Sequence, residues 1–314
     1  MQIINKDIHI ICGGGLGNKL PSLAGGVTVA EFYGKTDINI YWTQNIQCYA
    51  SFKELFSSNC ASKFNIVPMP IHALDTFNST DPYADVYNDY KNILLSLPDS
   101  VLYGFEPNTH PLFINVRENH PRKLESYKNR TIVYESNLPN FFIDPITQLE
   151  LFQKYFQFKE DLVEEAKEFI RINNISKKTL GVHMRIGGPG NFEDPKCKTD
   201  VEKNIKQILS LQNKYENIFI CTDNPDILPI MEKSIGKCIY RITEPPQLMG
   251  SITQYCSSIQ VQGAVVDLLI LATSNLQVYN IYSTYALWAQ LLSEPIGDYT
   301  RFFKNGFIRP HWNY

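Results

Sequence analysis

The chain has 314 residues, of which 44% are hydrophobic and 19% are charged, and its net charge is −3 at pH 7. This length exceeds the size at which one hydrophobic core stops growing, so we expect two domains. The composition is that of an ordinary globular protein. So small a net charge argues against nucleic acids and anionic membrane surfaces as partners.

The seven cysteines are scattered and include no C-x-x-C pair, which disfavours a zinc site or a thioredoxin-like motif. The first residues lack the basic region, apolar region and cleavage site of a secretory leader. No uncharged apolar run reaches the length of a membrane span. We therefore expect a cytoplasmic protein without a membrane span.

The N-terminal part of the chain has the pattern of a βαβ unit. Residues 9–12 form an apolar run typical of a buried strand, and a glycine-rich turn over 13–19 follows it. A helix is predicted over 20–32 and a second strand over 37–42. From 51 to 146 the sequence is irregular, and only short elements, such as a strand over 101–105, are predicted there.

From residue 147 onwards, helical and strand patterns alternate, as in a second doubly wound α/β unit. The sequence thus predicts two domains, 1–146 and 147–314. The predicted helices of the second are 148–156, 160–172, 201–212, 226–234, 263–273 and 284–292, and the predicted strands are 180–184, 217–221, 238–242 and 277–281.

The turn Gly13-Gly14-Gly15-Leu16-Gly17-Asn18-Lys19 is similar to a dinucleotide-binding fingerprint, but its spacing departs from G-x-G-x-x-G. Tyr41-Trp42-Thr43 stands where such a site carries an acidic residue, which disfavours a nicotinamide or flavin enzyme. Two interpretations remain. The glycines either allow a tight turn with positive φ, or they expose backbone amides at a helix N-terminus to an anion, with Asn18 as a further donor.

A strand ending in His183 and Arg185 leads into a glycine-rich loop that contains Glu193 and Asp194. A guanidinium beside flexible backbone amides suits a phosphate-bearing ligand, and a nearby carboxylate suits proton removal. Because ligands bind at the carboxyl ends of strands in open α/β sheets, we favour a functional role for His183 and Arg185. The alternative for Arg185 is a structural ion pair, and for the two carboxylates it is solvation in a loop.

Three further polar positions follow predicted strands or interrupt an apolar helix. Asp223 lies in a Thr-Asp-Asn-Pro segment, where it either caps a helix, contacts a ligand or pairs with Arg185. Asp267 lies inside an apolar helix and requires a partner, which is a ligand's ring nitrogens or a protein donor. Ser283 and Thr284 begin a helix, where they suit both capping and phosphate binding.

In their order along the chain, these segments together resemble the fucosyltransferase superfamily, in particular the nodulation-type and core α-1,6-fucosyltransferases, with α-1,2- and O-fucosyltransferases as relatives. The segments that carry the resemblance are Gly15-Leu16-Gly17-Asn18 with Trp42, Cys48 and residues 52–56; His183-x-Arg185; residues 221–225; and residues 263–267 followed by Ser283.

This resemblance implies a GT-B type fold with two facing Rossmann-like domains, 1–146 on the acceptor side and 147–314 for the GDP-sugar. It implies inverting, metal-independent transfer of L-fucose from GDP-fucose to a hydroxyl of an oligosaccharide or glycoconjugate, with no cofactor beyond the donor. The lack of any Asp-x-Asp sequence in the chain agrees with metal independence.

The resemblance also implies roles for the donor-binding residues. Arg185 and Ser283 are expected to contact the diphosphate, with Gly17 and Asn18 approaching it from the opposite domain. His183 and Asp267 are expected to hold guanine, and Asp223 to be structural or near the nucleotide.

For the catalytic base, the core-fucosylating relatives place a glutamate ten positions after the motif histidine, which is Glu193 here, with Asp194 as the alternative. Ile186 stands where many relatives have a second arginine, and this departure puts the donor and the linkage in question. Two other functions are therefore kept: transfer from another GDP-sugar, and non-catalytic binding of a nucleotide-sugar or glycan.

Overall fold

The structure is a computed structural model that describes residues 7–45, 47–69, 92–97, 99–104, 113–115, 127–136, 145–186, 200–242, 247–249, 253–280 and 283–293. The chain divides into two compact units. The first consists of Met1–Glu160 and Pro246–Gln262, and the second of Asp161–Pro245 and Gly263–Tyr314.

The first unit is built on a sheet in which all the neighbouring strands are parallel, in the order β3-β2-β1-β6-β4-β5. Its central strands β1 and β6 are buried along nearly their whole length, as expected for a parallel sheet covered on both faces. The strands are β1 Asp7–Cys12, β2 Asp37–Thr43, β3 Asn65–Met69, β4 Ser100–Gly104, β5 Phe113–Asn115 and β6 Thr131–Glu135. A separate antiparallel pair joins β10 Gln247–Met249 to β11 Thr253–Tyr255.

Helix α1, Leu16–Tyr33, packs closely on this sheet and is buried on nearly all sides. A Cβ atom at Gly25 would lie 1.9 Å from the Tyr134 hydroxyl, and one at Gly26 would lie 2.5 Å from Ile10 Cδ1. The two adjacent glycines therefore allow the helix to approach the strands. The other helices that the structure describes in this unit are α2 Phe52–Leu55, α3 Ser58–Ala61 and α4 Pro145–Tyr155.

Lys19, in the first turn of α1, is fully buried and holds together the ends of β1 and β2. Its ammonium donates to Cys12 O at 2.7 Å and to Thr43 O and Oγ1 at 2.6 Å each. It also lies 4.8 Å from the centroid of the Trp42 ring, a cation–π distance. Burial lowers the pKa of this lysine, and the three oxygen acceptors offset the cost of desolvating its charge.

The second unit has a parallel sheet in the order β12-β7-β8-β9, formed by β7 Thr179–Met184, β8 Asn217–Thr222, β9 Ile239–Tyr240 and β12 Asn275–Val278. Buried aliphatic side chains of β7 and β8 form its core together with residues of the covering helices. Its helices are α5 Glu160–Ile172, which starts at the unit boundary, α6 Val201–Leu211, α7 Leu228–Ile235 and α9 Thr284–Leu292; α8 Ser258–Thr273 ends in this unit.

Most predicted elements are present, with shifted ends. Helix α1 begins at Leu16 rather than residue 20, because Gly14 with φ of +68° completes the turn directly after β1. Helix α8 begins at Ser258 rather than residue 263. The interpretation of 51–146 as largely irregular was wrong, since this region contributes four strands to the first sheet; of these, only β4 corresponds to a predicted strand, 101–105. Within the described ranges, no helix combines the length and apolar character needed to cross a bilayer.

We predict that replacing Lys19 with Met destabilises the protein by about 1–3 kcal/mol, because the partly buried Thr43 carbonyl then loses its charged donor. Chemical denaturation of both proteins measures this difference. Lys154→Met is the matched control, because Lys154 is exposed and its ion pair with Glu31 lies at the surface. Equal midpoints for Lys19→Met and the unmodified chain would contradict the structural role of Lys19.

Candidate functional site

The strand order of the second sheet reverses between β7 and β12, and this reversal defines the candidate site. Strand β7 pairs with β8 on one side and with β12 on the other, all in parallel. In open α/β sheets, ligands bind outside the carboxyl ends of the strands at such a point. Arg185 and Ile186 directly follow β7 here, and Ser283 lies a few residues beyond the end of β12.

Asp223, at the end of β8, organises the chain that leaves β7. Its Oδ1 accepts a hydrogen bond from the Ile186 amide at 2.8 Å, and its Oδ2 lies 3.2 Å from Arg185 Nη1. The pair is largely shielded from solvent. Asp223 is therefore the ion-pair partner of Arg185, and the adjacent Asn224 is the helix cap, since its side chain accepts from the Asp226 amide.

Asp267 pairs with Arg241, which directly follows β9. Arg241 Nη1 lies 2.7 Å from Asp267 Oδ1 and also donates to Gly263 O at 3.2 Å, while Nη2 pairs with Glu165 of α5. Asp267 is 8% exposed, and burial raises the pKa of its carboxyl to about 6 although Arg241 opposes the shift. The apolar helix thus tolerates a carboxylate because a cation reaches it from a neighbouring strand.

A thiol, a phenol and an imidazole lie beside this carboxylate. Cys221 Sγ is 4.0 Å from both Asp267 Oδ2 and Tyr285 Oη, and Tyr285 donates to Ala264 O at 2.6 Å. Burial holds the pKa of both Cys221 and Tyr285 well above their usual values, so both stay neutral near pH 7. The ring of His183, on β7, stacks on Tyr285 at 5.1 Å between centroids.

Ser283 caps helix α9, as predicted. Its Oγ accepts a hydrogen bond from the Ala286 amide at 3.2 Å, and Thr284 is the first residue of the helix. A hydroxyl that accepts at a helix N-terminus keeps its own proton for donation, so Ser283 can cap the helix and bind an anion together. The partly exposed Ser283 and Thr284 are compatible with such a contact.

In the first unit, the glycine-rich turn leads directly into α1. Gly14 has a positive φ, and a Cβ atom there would lie 2.7 Å from the side-chain Nδ2 of Asn18. Gly15 is the N-cap residue and supplies no side chain to the first amides of the helix. Gly17 and Asn18 therefore lie in the first turn of a helix whose start has no side-chain cap, where anions are favoured.

The structure brings His183, Arg185, Asp223, Asp267 and Ser283 to the carboxyl-terminal side of one sheet. Glu193 and Asp194, predicted as the base and its alternative, lie outside the described residues. No group of three or more His, Cys, Asp and Glu side chains with the arrangement of a metal site occurs in the part of the chain that the structure describes.

Four residues near these sites were not predicted to have a role: Lys19, Glu165, Arg241 and Tyr285. The carboxylate inside an apolar helix was a signal that a cation must reach it, but the sequence did not say which one. Arg241 directly follows the short strand β9, and the parallel pairing of β8 with β9 brings the end of that strand to the site.

No protein-family model matches the sequence, and no curated protein matches it significantly. Solved structures of the α-1,6-fucosyltransferase NodZ are similar in fold. The structure of NodZ co-crystallised with GDP gives a TM-score of 0.54 at 15% identity, covering 92% of this chain and 93% of that one. The structure soaked with GDP-fucose and that of NodZ from Bradyrhizobium each give 0.53 at 14% identity, with the same coverage.

At this level of identity, the similarity establishes the fold. It extends over nearly the full length of both chains. The predicted fold class is confirmed, and the resemblance to fucosyltransferases is confirmed at the level of the fold. The chain therefore has the GT-B type α/β fold that NodZ has.

Proposed function

We propose that this protein is a glycosyltransferase that moves L-fucose from GDP-fucose to a hydroxyl of a glycan, with inversion and without a metal ion. The observation that carries the proposal is Arg185 at the strand-order reversal, held by Asp223. The fold supports it, because it is shared with NodZ structures that were co-crystallised with GDP or soaked with GDP-fucose.

In this proposal, Arg185 meets the charge that develops on the departing GDP. Fixed donors aimed at developing charge stabilise a transition state most when they need no reorganisation. The ion pair with Asp223 fixes the guanidinium at the end of β7 before any ligand binds. Ser283 and Thr284 at the start of α9 supply hydroxyl donors, and Gly17 and Asn18 supply further donors at the start of α1.

Guanine is assigned to His183 and Asp267. Among the residues that the structure describes, Asp267 Oδ2 has only the long contact with the Cys221 thiol, while Oδ1 is taken by Arg241. Guanine presents an N1–H and an amino group on one edge, and a carboxylate oxygen is a suitable acceptor for both. His183 is oriented by its stacking on Tyr285.

Glu193 is proposed as the base that deprotonates the acceptor hydroxyl, with Asp194 as the alternative. Inversion by direct displacement requires removal of that proton as the new bond forms, and a carboxylate within hydrogen-bond reach can accept it. We further propose that residues 1–146 form the acceptor-side domain and residues 147–314 the domain that binds the GDP-sugar.

A second candidate is transfer from another GDP-sugar. Ile186, which replaces the second arginine of many relatives, offers the Asp223 carboxylate its backbone amide only. A site with one arginine fewer makes fewer charge-assisted contacts with the donor, so its choice of sugar can differ. Hydrolysis measured across GDP-fucose, GDP-mannose and GDP-glucose separates the two candidates.

We predict that Arg185→Ala lowers the turnover of GDP-fucose by about 10²–10³, because a fixed donor to the developing phosphate charge is lost. Steady-state transfer or hydrolysis assays measure this loss. The control is Arg171→Ala, since Arg171 is exposed on α5 and pairs only with the nearby Glu168 in the described structure. Full turnover in Arg185→Ala would remove this residue from the mechanism.

We predict that Glu193→Gln abolishes transfer and leaves GDP binding unchanged, because an amide cannot accept the acceptor's proton at neutral pH. Calorimetry with GDP and transfer to a glycan acceptor panel give the two readouts. Asp194→Asn is the matched variant and is expected to retain activity. Loss of transfer in Asp194→Asn and its retention in Glu193→Gln would assign the base to Asp194. Binding of GDP without turnover in the unmodified chain would indicate a binding protein.

A further inference from the structure

Arg241 joins three elements of the second unit through a single guanidinium. It directly follows β9, and its Nη1 contacts both Asp267 Oδ1 and Gly263 O of α8, at 2.7 and 3.2 Å. Its Nη2 pairs with Glu165, and its guanidinium carbon lies 5.9 Å from the centroid of the Phe169 ring, both on α5. These contacts restrict the guanidinium to one position against the carboxylate.

The two sides of this network differ in exposure. The side chains of Arg241 and Asp267 are 13% and 12% exposed, whereas that of Glu165 is 53% exposed. The inner pair is therefore screened little by solvent, and loss of the arginine would leave a buried carboxylate without its cation. Such a carboxylate takes up a proton rather than remaining charged.

We propose that Arg241 is a positioning residue for nucleobase recognition: it keeps Asp267 anionic and turns Oδ2 towards the base, and Glu165 holds the guanidinium from outside. The inference rests on the proposed function, since it assumes that Asp267 receives guanine. The geometry supports it, because Arg241 engages Oδ1 and leaves Oδ2 with only the long Cys221 contact within the described ranges.

The charge state of Asp267 decides which purine is accepted. An anionic carboxylate accepts from guanine N1–H and repels adenine, whose N1 is an acceptor. A protonated carboxyl can donate to adenine N1 and is a poorer acceptor for guanine. Arg241 thus determines selectivity between GDP and ADP without touching the nucleotide.

The groups around Asp267 identify the source of any pH dependence. Burial raises the pKa of this carboxyl to about 6, so guanine binding is complete above that pH and is lost as the pH falls through it. Cys221 from β8 and Tyr285 from α9 face the carboxylate as neutral groups, since burial raises the pKa of each. Arg241 and Glu165 carry the charges on the other side, His183 of β7 stacks on the Tyr285 ring, and Asp223 directly follows β8.

The test measures the dissociation constants of GDP and ADP by calorimetry between pH 5 and 9. For the unmodified chain, GDP affinity should fall about tenfold per pH unit below pH 6, since one proton competes with binding. Arg241→Gln should move the midpoint upwards by about two pH units, which weakens GDP binding at pH 7 by about tenfold, and should change ADP binding by less than about threefold.

Two further variants refine the assignment. Arg241→Lys keeps the positive charge but lacks the planar guanidinium with its several donors. It should recover part of the selectivity for GDP over ADP that Arg241→Gln loses. Glu165→Gln should weaken GDP binding less than Arg241→Gln. The matched controls, Arg171→Gln and Glu168→Gln, alter an exposed arginine–glutamate pair on the same helix α5 and should leave both constants unchanged.

An unchanged ratio of the GDP and ADP dissociation constants in Arg241→Gln would overturn the proposal. This includes an equal loss of affinity for both nucleotides, which would indicate a structural role only. A pH midpoint that persists in Asp267→Asn would also overturn it, because another group would then be titrating. If Arg241→Gln fails to fold, Arg241→Lys and Glu165→Gln decide by the same readouts. Failure of the unmodified chain to bind GDP at any pH would contradict the proposed function instead.

Discussion

The contact between Asp223 and the two residues that follow β7 is the interaction on which the candidate site depends. One carboxylate oxygen holds the Ile186 amide and the other holds Arg185, so the path of the chain and the position of its charge are set together. Both groups lie where the strand order reverses and where backbone amides and side chains converge. An arginine fixed in this way is preorganised to bind an anion.

The same requirement, that a buried charge must be satisfied, explains other parts of the molecule. Lys19 donates to three oxygens at the ends of β1 and β2, at the position where a dinucleotide-binding domain needs an acidic residue for ribose. This cation joins two strands and lies against Trp42. The residue that ends the glycine-rich turn, Lys19, thus has a packing role. The similarity of the turn to a dinucleotide fingerprint does not extend to the second strand.

Around Asp267, the network of Arg241 and Glu165 shows how a polar group inside an apolar helix is maintained. A buried ion pair contributes little net stability, because desolvation cancels much of the attraction. It can still have a functional use, since the pair fixes the charge and the direction of a carboxylate. The fold alone does not define a function, because one fold supports many chemistries. The functional proposal therefore depends on these side chains and on the geometry at the strand ends.

The sequence by itself determined the α/β class, the order of most elements in the second unit and the clustering of polar residues after strands. Periodicity and glycine turns are local signals, so they could be read without a structure. Of the four strands between residues 51 and 146 it predicted only β4; β3, β5 and β6 were missed, because they are short and pair with strands distant in sequence. Only the tertiary structure decided that Asp223 pairs with Arg185 and that Arg241 reaches Asp267. These pairings depend on which parallel strands become neighbours, and no local pattern carries that information.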